Sequence, residues 1–122
     1  MRRVTERCEL FVYGTLMRGE HHHDVMQGAE FVSEAESLPA YELVLIDYFP
    51  ALLEGGSTRV RGELYRVDAE TLARLDLLEE VPHYYVRARI ALASGGSADS
   101  YLMPRERAVG AVPIPSGSFR ER

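Results

Sequence analysis

Glu79 is the residue whose position most needs a chemical explanation. Leu72, Leu75 and Leu78 recur at helical spacing after Asp68. A helix turns about 100° per residue, so a residue seven places after Leu72 lies only about 20° from it around the axis. Glu79 is that residue, and it also follows Leu75 by four. It is therefore expected on the stripe that faces the core, while Asp76 and Glu80 point elsewhere. A carboxylate withdrawn from water without partners is costly, or is driven toward protonation. A carboxyl group titrating near neutrality can take up and return a proton, which is what general acid/base chemistry requires. The plain alternative is a helix end that frays and turns the stripe back to solvent.

A second constellation lies near the start of the chain. Phe11-Val12-Tyr13-Gly14-Thr15-Leu16 reads as a strand running into glycine, followed by a polar loop through Arg18 and Gly19. Gly14 permits a tight turn and leaves successive backbone N–H groups free to converge on an anion such as a carboxylate. The same residues could form an ordinary turn, and the glycine spacing fits neither a P-loop nor a dinucleotide fingerprint. His21-His22-His23, with Asp24 beside them, raises the question of a metal site. Adjacent side chains diverge on a helix or strand, so three consecutive histidines seldom meet at one ion, and no metal is assigned. Cys8 is the single cysteine. It can be a catalytic thiol, but beside a strand it reads as a small apolar residue.

The elements that must position these groups follow from the pattern. Leu10–Tyr13 is expected to be a buried strand, His21–Met26 a short helix, and Phe31–Leu38 and Tyr41–Ile46 strands split by Pro39. Pro50 and Gly55-Gly56-Ser57 mark loops or a hairpin turn. Val60–Val67 alternates, with Gly62 signalling a bulge or the close approach of another backbone. Tyr84–Leu92 alternates again, a turn follows at Gly95-Gly96-Ser97, and a last short strand is expected at Ser100–Met103. The one helix with clear signals starts at an Asp68 cap, carries Glu70 in its first turn and is stopped by Pro82. Residues 112–122, rich in proline, serine and glycine, are expected to be an extended or frayed tail. Several strands with one good helix give an α+β domain, a small mixed β-barrel or curled sheet.

The length of 122 residues suits a single domain, 1–122, and the 46% hydrophobic and 27% charged content is that of a globular chain. A net charge of −5 gives no global pull toward nucleic acid or anionic membrane. The longest apolar runs, Leu43–Ile46 and Pro50–Leu53, are far shorter than the ~20 residues of a membrane helix. One cysteine leaves no intramolecular disulfide, and the charged start, Met1 to Arg7, leads into no apolar stretch of signal-peptide length. A cytoplasmic location is expected.

Tyr13-Gly14-Thr15-Leu16-Met17-Arg18-Gly19, then Arg61-Gly62-Glu63-Leu64-Tyr65, then Leu75-Asp76-Leu77-Leu78-Glu79 with Tyr85 and Arg87 beyond, together resemble the gamma-glutamylcyclotransferase-like family, nearest its gamma-glutamylamine cyclotransferase branch. The resemblance runs from about Leu10 to Met103 and implies a small mixed β-barrel flanked by a few helices. It also implies an activity without metal or organic cofactor. The α-amine of a γ-glutamyl amine or γ-glutamyl amino acid attacks its own side-chain amide, closing 5-oxoproline and releasing an amine. It places the family's catalytic carboxyl on Glu79 and its substrate-holding loop on Tyr13, Gly14, Thr15 and Leu16. Tyr85 matches the family's tyrosine after the Glu, a candidate for substrate binding, and Tyr101 resembles a tyrosine of the last strand that lines the pocket. Two departures stand out: Glu80 where the family commonly has Gly, and His22-His23 where relatives often carry Asn-His. The leaving amine would meet the Asp47–Pro50 loop, the His21–His23 segment or the tail. The alternative from another class is a non-catalytic module that binds a small carboxylate-bearing ligand in the same pocket.

Overall fold

A computed structural model describes residues 7–122. Of the charged start read for a leader segment, only Arg7 falls within the described residues. The first strand, β1 (Arg7–Val12), ends in Leu10, Phe11 and Val12, which are apolar on both faces because both are covered. Leu10 and Val12 enter a cluster with Leu75, Tyr85 and Tyr101, whereas Phe11 and the following Tyr13 enter another with Leu43, Leu52 and Ile90. β2 (Glu30–Glu36), β3 (Tyr41–Ile46), β4 (Phe49–Glu54), β5 (Arg61–Asp68), β6 (Val86–Ala91), β7 (Ser97–Leu102) and β8 (Val112–Pro113) complete the sheet. Their order is β2-β5-β1-β7-β4-β3-β8, with β6 paired to β7. The pairings β1–β7 and β4–β7 are parallel and the others antiparallel. The result is a mixed sheet curled into a half-barrel, with α1 (Ala69–Leu78) as the single α-helix among the described residues. His23–Met26, expected as a short helix, is one turn of 3₁₀-helix.

Two features differ from the sequence expectation. Pro50 lies inside β4 rather than in a loop, opposite Leu45. The turn sits earlier, where Asp47 takes φ 55° and lets Ile46 pair with Phe49. A proline near the start of a strand gives up one ladder bond at most. The tail is extended at Val112–Pro113, where it pairs with β3, but it is not frayed. Ile114, Ser118 and Phe119 are buried.

The close approach expected at Gly62 is present. A Cβ there would stand 2.2 Å from the Val12 carbonyl oxygen. The bulge lies on the neighbouring strand, between Phe31 and Ser33.

Helix α1 begins as its sequence dictates, with the Asp68 carboxylate accepting from the Thr71 N–H at 2.8 Å. It ends sooner than Pro82 requires. Glu79 closes it with an N–H donated to Leu75, and Glu80 takes φ 54°, the left-handed conformation that favours glycine. This is the position where the resemblance had a glycine in place of Glu80. Thr71 and Leu75 are buried, and Leu72 is half-buried. Leu78 is 37% exposed, so the apolar stripe leaves the core just as it reaches Glu79.

Candidate active site

The end of α1, the turn after β1, the start of β4 and the last residues of β7 enclose one cavity of about 210 Å³. That is below the ~300–1,000 Å³ typical of drug-sized ligands and suits a small substrate. Tyr13, Gly14, Thr15, Leu16, Glu79, Tyr85 and Tyr101 all line it. The glycine turn after β1 and the end of α1, both singled out in the sequence, therefore meet at one place, while the Arg61–Tyr65 segment lies outside the lining. Of the three candidate outer walls, Phe49, Pro50 and His22 line the cavity, and no residue of the tail does.

Glu79 is half-buried, and its carboxyl group makes no hydrogen bond or ion pair among the described residues. Burial pushes its pKa up to about 7. Glu80, the second carboxylate next door, is exposed.

Three of the four tyrosines that line the cavity, Tyr13, Tyr85 and Tyr101, have their hydroxyl protons committed. Tyr13 donates to the Tyr101 carbonyl at 2.6 Å and accepts the Leu52 N–H at 3.2 Å. Tyr85 donates to the Pro50 carbonyl at 2.8 Å. Tyr101 donates at 2.8 Å to Asp76 Oδ1, a carboxylate also gripped by both Nε and Nη2 of Arg87. Burial, together with the nearby Glu79 carboxylate, pushes all three hydroxyls well above the ordinary tyrosine range, and for Tyr101 the bonded Asp76 adds to this. They form walls that stay protonated. Glu79, with a pKa of about 7, is the carboxyl group placed beside them to exchange a proton near neutrality, and His22 also stands in the lining.

The loop after β1 is held from several sides. The Met17 N–H bonds the Gly14 carbonyl at 3.0 Å, closing a turn around Thr15 and Leu16. The N–H groups of Gly14, Thr15 and Leu16 donate to no acceptor among the described residues. Successive unpaired N–H groups in a turn form a concavity that favours an anion. Gly14 is required by packing, since a Cβ would meet Pro50 Cγ at 2.2 Å.

The histidines buttress this turn. The His22 N–H donates to the Thr15 carbonyl at 2.8 Å, and its Nδ1 lies 3.3 Å from Thr15 Oγ1. His23 Nδ1 lies 2.8 Å from the Leu16 carbonyl, and because a carbonyl only accepts, that nitrogen carries the proton.

Sequence reasoning missed Glu63 as an individual residue. It is 1% exposed on β5, between β1 and β2. It accepts from the Arg18 N–H at 3.0 Å, Arg18 Nε at 3.1 Å and the Tyr65 hydroxyl at 3.0 Å. Burial alone would raise its pKa, but the Arg18 and Tyr65 donors more than offset this and hold it below the ordinary carboxylate range. The available signal was a charge in a strand flanked by Gly62, Leu64, Tyr65 and Val67. Cys8, half-buried in β1, has its thiol pushed up by burial first and by Asp99 second, which fits a small packed side chain.

Among the described residues no helix is long and apolar enough to cross a membrane. A protein of Vibrio cholerae is 43% identical over 86 residues, covering 70% of this chain and 74% of that one. Gamma-glutamylaminecyclotransferase A of Danio rerio is 36% identical over 106 residues, covering 76% and 66%. The crystal structure of a uropathogenic E. coli-specific protein superposes with a TM-score of 0.84 at 30% identity, over 95% of this chain and 94% of that one. The family model described as gamma-glutamyl cyclotransferase, AIG2-like matches residues 10–121. With nearly the whole chain matched, the protein belongs to the gamma-glutamyl cyclotransferase, AIG2-like family.

Proposed function

We propose that the protein is a cyclotransferase that converts a γ-glutamyl amine or γ-glutamyl amino acid into 5-oxoproline and a free amine, with Glu79 as the single acid/base. The observation that carries this reading is a carboxyl group with a pKa of about 7, unpartnered among the described residues, in a cavity where the hydroxyl protons of Tyr13, Tyr85 and Tyr101 are engaged elsewhere. The names of relatives, such as the zebrafish gamma-glutamylaminecyclotransferase, support the same class of substrate.

The steps follow from the residues. The N–H groups of Gly14, Thr15 and Leu16 hold the substrate's α-carboxylate. Ionised Glu79 removes a proton from the α-ammonium, and the freed amine attacks the side-chain amide carbonyl. A new C–N bond closes the five-membered ring, the old amide C–N bond breaks as Glu79 returns its proton to the departing amine, and the ring nitrogen gives up its second proton, so that the amine leaves as its ammonium. No water is consumed and no cofactor is needed. Holding the chain folded for ring closure exploits effective molarities of about 10⁵–10⁸ M. A pKa near 7 lets one group serve in both directions. Tyr13, Tyr85 and Tyr101 shape the cavity and exclude water.

The test is 5-oxoproline release from a panel of γ-glutamyl amines, γ-glutamyl amino acids and glutathione. Release from one class supports the reading and identifies the substrate. Stabilisation of the fold by these ligands, with no product from any, would favour a binding module instead.

A further inference from the structure

The C-terminal segment lines no part of the cavity, yet it ends on the loop that does. Its course is fixed by the Ile114 N–H bonded to the Leu43 carbonyl and the Arg61 N–H bonded to the Gly117 carbonyl, both at 2.8 Å. Gly117 has φ 74° and passes so close to β5 that a Cβ would meet the Arg59 carbonyl oxygen at 2.2 Å. Phe119 is 3% exposed and belongs to the same apolar cluster as Leu16 and Met17. Arg120 then grips the loop. Its guanidinium donates to the Arg18 carbonyl, pairs with Glu20 at 3.1 Å and lies 3.7 Å from Glu63. The Arg18 backbone is thus held on both sides, its N–H by Glu63 and its carbonyl by Arg120. Glu63 is a fully buried carboxylate that the reaction does not use, and breaking such a network leaves a charge uncompensated.

We infer that the C-terminal segment is a strap that positions the binding loop: Arg120, acting through the Arg18 backbone and Glu63, holds the Gly14–Met17 turn so that its unpaired N–H groups meet the substrate's α-carboxylate. The inference rests on the carboxylate-binding role proposed above for that turn. Unpaired donors crowded in one turn gain by relaxing toward water, and binding improves when they are held in advance. The planar fork of arginine can serve a carbonyl and two carboxylates at once, which an ammonium cannot do as well.

The test compares Arg120→Ala, Arg120→Lys and Glu121→Ala by calorimetric Kd for 5-oxoproline, KM and kcat across pH, and amide exchange in the absence of ligand. Arg120→Ala is expected to raise Kd and KM about tenfold, the scale of one charge-assisted contact, while the pH dependence of kcat is unchanged. It should also speed exchange at Met17, Arg18 and His22. Arg120→Lys recovers part of the affinity. Glu121→Ala removes the 3.0 Å pair to Arg61, which touches no part of the loop, and is expected to leave Kd unaltered. Unchanged Kd and exchange in Arg120→Ala, or an equal loss in Glu121→Ala, would overturn the inference. A wild type that binds 5-oxoproline but releases none removes the cyclotransferase reading and leaves the strap testable through Kd. A wild type that does not bind it overturns both.

Discussion

Replacing Glu79 by glutamine should stabilise the protein in alkali, because the same burial that suits the carboxyl for acid/base work makes its ionised form costly. The folded pKa is about 7 against an ordinary value of 4.5, with desolvation as the cause. A group whose folded pKa is raised contributes its stability in full below the unfolded pKa and loses it as pH rises through the folded one. The loss therefore begins above about pH 4.5 and is complete above about pH 8, amounting to roughly 3 kcal/mol. Glutamine is isosteric and never ionises, so Glu79→Gln keeps its stability over that range. Urea unfolding of both proteins at pH 5 and pH 9 measures the effect. The difference between variant and wild type should grow in favour of the variant by roughly 2–3 kcal/mol from the lower pH to the higher. For a chain of this size that is on the order of 10 °C in Tm. A difference that stays constant across pH would refute the raised pKa and the burial reasoning behind it.

Other variants probe the remaining parts of the site. The pH profile of kcat/KM should rise with an apparent pKa near 7 as Glu79 ionises, and a profile flat from pH 5 to 9 would contradict its role as base. Tyr85→Phe removes the bond to the Pro50 carbonyl and should cost about 1 kcal/mol of stability in thermal melts, while activity stays within about tenfold of wild type; abolished turnover in a folded variant would make the hydroxyl a reacting group. Gly14→Ala drives a Cβ into Pro50 and should cost about 1–3 kcal/mol, with substrate binding lost, as read by unfolding and KM. Glu80→Gly relieves a left-handed backbone and should raise stability by about 1 kcal/mol, a gain checked by urea unfolding.

What the sequence made legible was local and periodic. The Asp68 cap, the placement of Glu79 seven residues after Leu72, and the glycine turn after β1 could be read because each depends on spacing within one element. The helix end could not, since the left-handed backbone at Glu80 leaves no mark in the side-chain pattern. β4 was obscured by Pro50, whose breaker chemistry outweighed the apolar run that follows it. The tail was obscured by its proline and serine content, although Ile114 and Phe119 supply the anchors that hold it. Glu63 does not stand out in the alternation of Val60–Val67, because alternation assumes one wet side. β5 lies between two strands, and Arg18 and the C-terminal segment lie against its second face. The roles of His22 and His23 depend on a loop that returns on itself, which spacing does not encode.

The most direct measurement is 5-oxoproline release by wild type and Glu79→Gln on the best substrate of the γ-glutamyl panel, with circular dichroism and melting to establish that both are folded. Product from the wild type and none above background from a folded Glu79→Gln is the expected result. Undiminished 5-oxoproline release by the folded variant would contradict the assignment of the proton transfers to Glu79.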